Sequence, residues 1–399
     1  MCSPREGSKP GTRNTLSSLD YSINTALSYG PARLVKPARV VFLLQDLKFG
    51  GTQRQTLELT RRLDPARFRP EIWLMAAGDD LVPPAQASGL PLTWLSRQEQ
   101  VGPRSLLNLW RRLRRGGLDL LVLLTVVPNI WGRIMGRLAR VSIILGNCRG
   151  GGSPGRQGER WLWPLADHII CNSAALKRVL TGRCGVPEAR LSVILNGVDS
   201  DYFRPSPDAG RASPAVALSV ARMVPDKDPA NLIKAFARVA AAFPQAQLWL
   251  VGEGPLLPAI RQMAQESLPR DSFRFIAPQV DLRPLFRQAG LLVLSSRTEA
   301  LPNVVLEAMA AGLPVAATAV GDVPEMVRPA RTGWLAPPGD PAALAAAMGR
   351  LLENPADRQA FGLAARRRVR QEFSLDAMVR RHEEVFQDLL LHAHHGDSS

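Results

Sequence analysis

Short apolar runs and longer amphipathic stretches take turns along most of this chain. A brief apolar run bounded by turn residues suits a strand buried on both faces. Apolar positions three or four apart suit a helix with one buried side. The first such pair is Arg39 to Leu44, expected as a strand, then Gly50-Gly51, then an amphipathic helix over Thr52 to Leu63 with Leu57, Leu59 and Leu63. Further strands are expected at Glu71 to Met75, Leu120 to Thr125, Ser142 to Leu145, His168 to Cys171 and Ser192 to Ile194. The longest apolar run, LLVLLTVV over Leu120 to Val127, stops at Pro128 and reads as a buried strand. The rhythm breaks at FRPSPDAGRASPA and then restarts. Val216 to Val220 reads as a strand, Asn231 to Phe243 as an amphipathic helix, and LWLVGEGPLLPAI as strand, glycine turn and helix. A strand at Phe273 to Ile276, a helix at Asp281 to Gln288 and the apolar run Leu291 to Ser296 follow.

Alternation of strand and helix implies parallel sheets. A single core stops growing near ~250–300 residues, so 399 residues favour two domains. The expected fold is α/β, with two Rossmann-like, doubly wound domains facing a cleft at the carboxyl ends of their strands. Residues 1–37 are Ser/Pro/Gly-rich and are expected as a disordered N-terminal extension. The first domain is expected over 38–204, a linker over 205–215 and the second domain over 216–374.

Charge adds a direction to this picture. The formal net charge is +15, and residues 1–210 hold 29 Lys and Arg against 16 Asp and Glu, whereas residues 211–399 hold 21 against 19. A basic first half suits an anionic surface such as nucleic acid or a membrane leaflet. LLNLWRRLRRGGL, over Leu106 to Leu118, concentrates the effect and fits an interfacial amphipathic helix as well as an ordinary basic surface helix. Three tyrosines in the whole chain leave little for stacking nucleic-acid bases. Cys2, Cys148, Cys171 and Cys184 show no metal-binding spacing and fit a reduced, cytoplasmic protein. No apolar run approaches the ~18–20 residues of a membrane span.

The chemistry-bearing stretch is RTEALPNVVLEAMAAGLPVAAT, from Arg297 to Thr318. Pro302 opens a helix over Asn303 to Ala311, with Gly312 past its end and a short strand at Val315 to Ala317. Glu299 then lies in a strand-to-helix loop and Glu307 in the second helical turn. A helix N-terminus favours anions, and a carboxylate beside it can accept hydrogen bonds from a diol. Arg222 and Lys227, in SVARMVPDKDP, follow the first strand of the second half and suit a diphosphate. Gly50 and Gly51 would let backbone approach the same phosphates. Each feature also has an ordinary reading as a solvated loop cation, a surface carboxylate or a turn glycine.

Taken in order, GGTQRQTLEL, NSAALK, VILNGVDSDYFRP, ARMVPDKDP, LVGEGP, TEALPNVVLEAMAAGLPVAAT, GDVPEMV and TGWLAPPGD resemble the retaining family 4 glycosyltransferases of the GT-B fold over roughly residues 38 to 390. The resemblance implies that Glu307 holds the ribose hydroxyls of a nucleotide-sugar and that Glu299 sits at the transferred sugar. It implies backbone contacts from Leu301, Asn303 and Val304 to sugar and phosphate, and charge neutralisation of the diphosphate by Arg222 and Lys227. Gly51, with Gly50 before it, would approach that diphosphate, and the loop from Ile276 to Val280 would hold the base. It further implies an acceptor-binding first domain, a nucleotide-sugar-binding second domain and a C-terminal helix near residues 375–391 that crosses back onto the first domain.

The implied activity is transfer of a hexose-type sugar from a UDP- or GDP-sugar to a lipid-linked or polysaccharide acceptor, without a metal or a cofactor. It would act peripherally at the cytoplasmic membrane face, for cell-surface glycans such as lipopolysaccharide, with no nucleic-acid partner. Two departures stand out. The stretch ILGNCRGGG lacks the His that many relatives carry in the first domain and has Arg149 instead, and Ala300 replaces a usual glycine. An inactive nucleotide-sugar-binding protein of the same fold is the alternative. A sugar-nucleotide epimerase would need acidic and His groups that the chain does not supply.

Overall fold

The computed structural model describes residues 36–150, 153–205 and 216–396. The expected extension at 1–37 and linker at 205–215 lie outside these residues, apart from Lys36, Pro37 and Pro205. The first sheet contains β1 (Ala38–Leu44), β2 (Phe68–Leu74), β3 (Leu92–Trp94), β4 (Leu120–Leu123), β5 (Ile144–Cys148), β6 (His168–Cys171) and β7 (Leu191–Val193). The second contains β8 (Val216–Val220), β9 (Gln247–Val251), β10 (Phe273–Ile276), β11 (Leu291–Leu294), β12 (Val315–Thr318) and β13 (Gly333–Ala336). The strand orders are β3-β2-β1-β4-β5-β6-β7 and β10-β9-β8-β11-β12-β13, and the strand pairs are parallel. The chain is thus two parallel-sheet α/β domains of seven and six strands.

Burial explains the apolar runs. β4, β5, β11 and β12 are buried at every position, because helices cover both faces of a parallel sheet. The structure departs from the expected pattern in two places. The run Leu120 to Val127 is not one strand: β4 ends at Leu123, Thr125 takes a left-handed φ of 65°, and a helix spans Val126–Leu138 with Pro128 in its first turn. Proline there removes only an N–H that the helix would not use. The strands β3 and β13 were not anticipated, since these edge strands are short and only partly buried.

The order reverses beside the first strand of each sheet, between β1 and β4 and between β8 and β11. Neighbouring loops diverge there and leave a crevice at the strand carboxyl ends. In the second sheet, the loop after β8 carries Arg222 to Lys227 and the loop after β11 carries Arg297 to Pro302. Strand order alone brings these two stretches side by side.

The C-terminal helix Leu375–Gly396 lies against the first sheet. Phe386 is fully buried, with its ring 6.2 Å from that of Phe42 on β1 and 5.9 Å from that of Phe68 on β2. Glu383 accepts from the Asp64 backbone N–H at 2.7 Å and pairs with Arg67 at 3.2 Å. The helix that ends the chain therefore shares the core of the domain that begins it. Phe386→Ala should cost about 3–5 kcal/mol of unfolding free energy. A urea titration is the check, and Phe386→Leu should recover most of the loss.

Candidate active site

The second domain supplies a tightly braced pair of loops. Asp228 adopts a left-handed φ of 44° and caps the helix Pro229–Ala242 by accepting from Asn231 N–H at 3.3 Å. Its other oxygen takes Arg297 Nε at 2.7 Å, which ties the loop after β8 to the loop after β11. Lys227 Nζ meets Glu299 Oε1 at 2.5 Å, and Ser296 Oγ donates to the same oxygen at 2.7 Å. Ser295 Oγ donates to the Lys227 carbonyl at 2.9 Å. The side chains of Lys227 and Glu299 are 23% and 9% exposed, so the pair is shielded from water enough for its geometry to matter. Arg222 differs. Its side chain is exposed and makes no hydrogen bond or ion pair among the described residues.

The helix Asn303–Ala310 begins just beyond this pair. Leu301 and Pro302 are buried, and Val304 packs against the second-domain core. The first backbone N–H groups of a helix have no intrahelical partner and carry its positive dipole end. Asn303 reaches across the cleft and donates to the Gly51 carbonyl at 3.0 Å. A Cβ at Gly51 would lie 2.8 Å from Asn303 Nδ2, so this close approach needs glycine unless Asn303 moves. Gly50 precedes the helix Gly51–Arg62 in ordinary extended backbone.

One turn deeper, Glu307 is buried, and burial raises its carboxyl above the ordinary glutamate range. Arg54, from the first domain, opposes that shift: its Nη1 lies 3.7 Å from Glu307 Oε1. Arg54 Nη2 also donates to the carbonyls of Gln279 and Val280, at 3.0 and 3.1 Å. A single guanidinium thus spans the carboxylate expected to meet ribose and the loop expected to meet the base.

The first domain floors the cleft with amides. Asn196 Nδ2 donates to Asn303 Oδ1 at 2.6 Å and to the Leu301 carbonyl at 3.0 Å. Arg149, at the end of β5, donates from Nε to Asn147 Oδ1 at 2.9 Å and from Nη1 to Asn196 Oδ1 at 3.4 Å. Behind them, Asn129 holds the Asn147 backbone and takes a bond from Arg133, which forms a fully buried ion pair with Glu159. From the second domain, Asp322 accepts from the N–H groups of Ala174 and Ala175, at 2.7 and 3.0 Å, where a first-domain helix starts. His168 stays on β6, with Nε2 2.8 Å from Ser192 Oγ and its ring pulled down to about 4 by burial and Arg190.

The structure therefore gathers Lys227, Glu299, Leu301, Asn303, Glu307 and Gly51 around one cleft, with Gly50 and Val304 adjoining. Arg222 shares the loop, but its side chain is unbound there. Arg54, Asn196 and Asp322 were not singled out from the sequence. Each lies inside a quoted motif, in GGTQRQ, VILNGVDS and GDVPEMV, but its partner lies in the other domain.

Two facing parallel-sheet domains with a charged, helix-capped cleft define the GT-B class of transferases. The family profile Glycosyltransferase Family 4 matches residues 49–202, and Glycosyl transferases group 1 matches 207–368. The chain belongs to this group 1, family 4 set of glycosyltransferases. It is 30% identical to glycogen synthase of Mycobacterium tuberculosis, over 57% of this chain and 56% of that protein. It is 32% identical to D-inositol 3-phosphate glycosyltransferase of Thermobispora bispora, over 59% of each. The chain thus spans little more than half the length of these two relatives. Among solved structures, Anabaena HepE in complex with UDP-glucose superposes with a TM-score of 0.78 at 22% identity, covering 88% of this chain and 99% of that one.

Glu307 yields a signed pH dependence. A carboxyl raised in the folded state binds its proton more tightly than in the unfolded chain, so it lowers stability as pH climbs above the ordinary glutamate range. Melting temperatures from about pH 4 to about pH 8 should shift in favour of Glu307→Gln over wild type as pH rises, then level off. A pH-independent difference would contradict this. Arg54→Met should lower stability by about 1–3 kcal/mol, since it removes charged hydrogen bonds across the cleft.

Proposed function

We propose that this protein is a retaining glycosyltransferase that moves a hexose-type sugar from a UDP- or GDP-sugar to a lipid-linked or polysaccharide acceptor, without a metal. The observation that carries the reading is the Lys227–Glu299 pair, set beside the N-terminus of the Asn303–Ala310 helix at the switch point of the second sheet. As the glycosidic bond breaks, negative charge grows on the departing diphosphate. Lys227, the helix N–H groups of Asn303 and Val304, and Arg222 turning in from solvent would stabilise that charge. Glu299, steadied by Ser296 and Lys227, would face the sugar. Glu307 would accept hydrogen bonds from the ribose diol, and the Ile276–Val280 backbone would hold the base. Arg54 would turn from these carbonyls toward the nucleotide as it binds. Domain closure would exclude water and suppress donor hydrolysis.

Two further facts support parts of this reading. The HepE structure of the same fold holds UDP-glucose, and the two relatives are named for glycogen synthesis and for transfer to D-inositol 3-phosphate. A peripheral site on the cytoplasmic membrane face, serving cell-surface glycan synthesis, draws on the first domain's surface. Leu107, Trp131, Leu138 and Trp161 are exposed on adjoining elements, among the exposed cations Arg104, Arg111, Arg115, Arg140 and Arg160. Apolar side chains within an arginine-rich face suit an anionic lipid surface. Among the described residues no helix is long and apolar enough to cross a membrane. A second reading, nucleotide-sugar binding without transfer, draws on the unbound Arg222 side chain.

Incubation with a panel of nucleotide-sugars and membrane lipid extract should give a glycosylated product. Absence of both product and donor hydrolysis would favour the second reading. Glu307→Ala should weaken nucleotide-sugar binding about 10- to 100-fold by calorimetry. Arg222→Ala combined with Lys227→Ala should lower kcat by about 10²–10³ with the fold intact, and unchanged turnover would remove their role at the leaving group. Vesicles carrying anionic lipid should float the protein at low salt and release it at high salt. Binding indifferent to salt would count against the membrane surface.

A further inference from the structure

The fold treats two of its first-domain arginines in opposite ways. Arg133 is fully buried and is met by both oxygens of Glu159, at 2.9 and 2.7 Å. Arg149 is half-buried at the floor of the cleft, yet among the described residues no carboxylate pairs with it. Its Nε and Nη1 donate to two neutral amide oxygens, on Asn147 and Asn196, and its Nη2 makes no hydrogen bond among the described residues. Burial pulls the guanidinium down only to about 10, so it stays charged at neutral pH. The nearby His382 adds no second positive charge, because burial and Arg149 hold its ring near 3, in the neutral form. Keeping an unpaired cation out of water is unfavourable, and a bound anion relieves that cost.

A second observation points the same way. Asn172 is 1% exposed and donates from Nδ2 to Asn196 Oδ1 at 3.3 Å, the oxygen that also receives Arg149. Its own Oδ1 is buried with no partner. Asn172 and Arg149 therefore donate to the same Asn196 oxygen, and the Asn172 side chain that joins them carries an unfilled acceptor. That amide, Asn196, bonds in turn to the Leu301 carbonyl and to Asn303, at the lip of the proposed sugar site. The planar fork of Arg149 is held still by Asn147, which Asn129 and the Arg133–Glu159 pair fix from behind. Such a braced guanidinium is prepared for a planar or tetrahedral oxyanion.

We infer that Arg149 and Asn172 form a subsite for an anionic oxygen group, carboxylate or phosphate, on the transferred sugar or on the acceptor, distinct from the site of the donor diphosphate. Arg149 would bind the anion, and Asn172 would hold Asn196 in place beside it. The subsite makes the protein selective for a charged substrate: a uronic-acid donor in one case, a phosphate-bearing acceptor in the other. The inference rests on the glycosyltransferase reading.

Calorimetry on the full chain separates the possibilities. Wild type is titrated with UDP and GDP, then with UDP-glucose against UDP-glucuronate, and, when saturated with nucleotide, with a short-chain prenyl phosphate against the matching prenol. The expected result is nucleotide binding plus a preference of about tenfold or more for the anionic member of one pair. Preference in the first pair assigns the anion to the donor sugar, and in the second to the acceptor. Arg149→Met should lose that preference while still binding the nucleoside diphosphate, and Arg149→Lys should keep part of it, since it retains charge without the fork. Asn172→Ala should weaken both members of the preferred pair and leave the preference in place. Nucleotide binding with no anionic preference, or a preference that survives in Arg149→Met, overturns the inference and leaves the transferase reading standing. Loss of nucleoside diphosphate binding in Arg149→Met also overturns it, because Arg149 would then belong to the diphosphate site. Failure of wild type to bind either nucleotide brings down the transferase reading and this inference together.

Discussion

Each sheet reverses its strand order beside its own first strand, and the cleft's chemistry follows from that reversal. In the second sheet the loops after β8 and β11 are neighbours because β8 and β11 are neighbours. Lys227 and Glu299 meet across that junction although 72 residues separate them. The bracing from Asp228, Arg297, Ser295 and Ser296 then fixes their geometry. A charged pair in a partly dry site is useful only if its atoms are held before the reaction begins, because reorganisation during reaction would consume the benefit.

The two domains are joined in two physically different ways. The C-terminal helix is fastened to the first sheet by buried aromatic contact through Phe386, Phe42 and Phe68, which nothing in water replaces. Across the cleft, polar contacts link Asn303 with Gly51, Arg54 with Glu307 and the Gln279–Val280 carbonyls, and Asp322 with the Ala174 helix, while Ala300 is buried among first-domain apolar residues. Water or a ligand can take the place of such bonds at small net cost.

The arginines of the cleft show how similar side chains acquire different work. Arg133 is neutralised by Glu159 and serves as a brace. Arg54 lies beside Glu307 and donates to the Gln279 and Val280 carbonyls. Arg149 donates to amide oxygens and has no carboxylate partner among the described residues. These differences come from what each guanidinium faces, and the basic balance of the first 210 residues carries no trace of them.

Periodicity was enough to read the α/β class, the paired parallel sheets and most strands, because burial on two faces writes an apolar run directly into consecutive residues. It failed at β3 and β13, which are only partly buried, and at Val126, where apolar residues pass from strand into helix without a change in hydropathy. Around the cleft, residue type and motif order pointed to Glu299, Glu307, Arg222 and Lys227, yet they were silent on which cation finds a partner. Arg54 and Val280 are 226 positions apart, Asn303 and Gly51 are 252, and Asn196 and Asn303 are 107. Local pattern reports only whether a position faces the core, since that is settled by its own strand or helix. Which charges meet depends on how distant loops come together, and folding alone decides it.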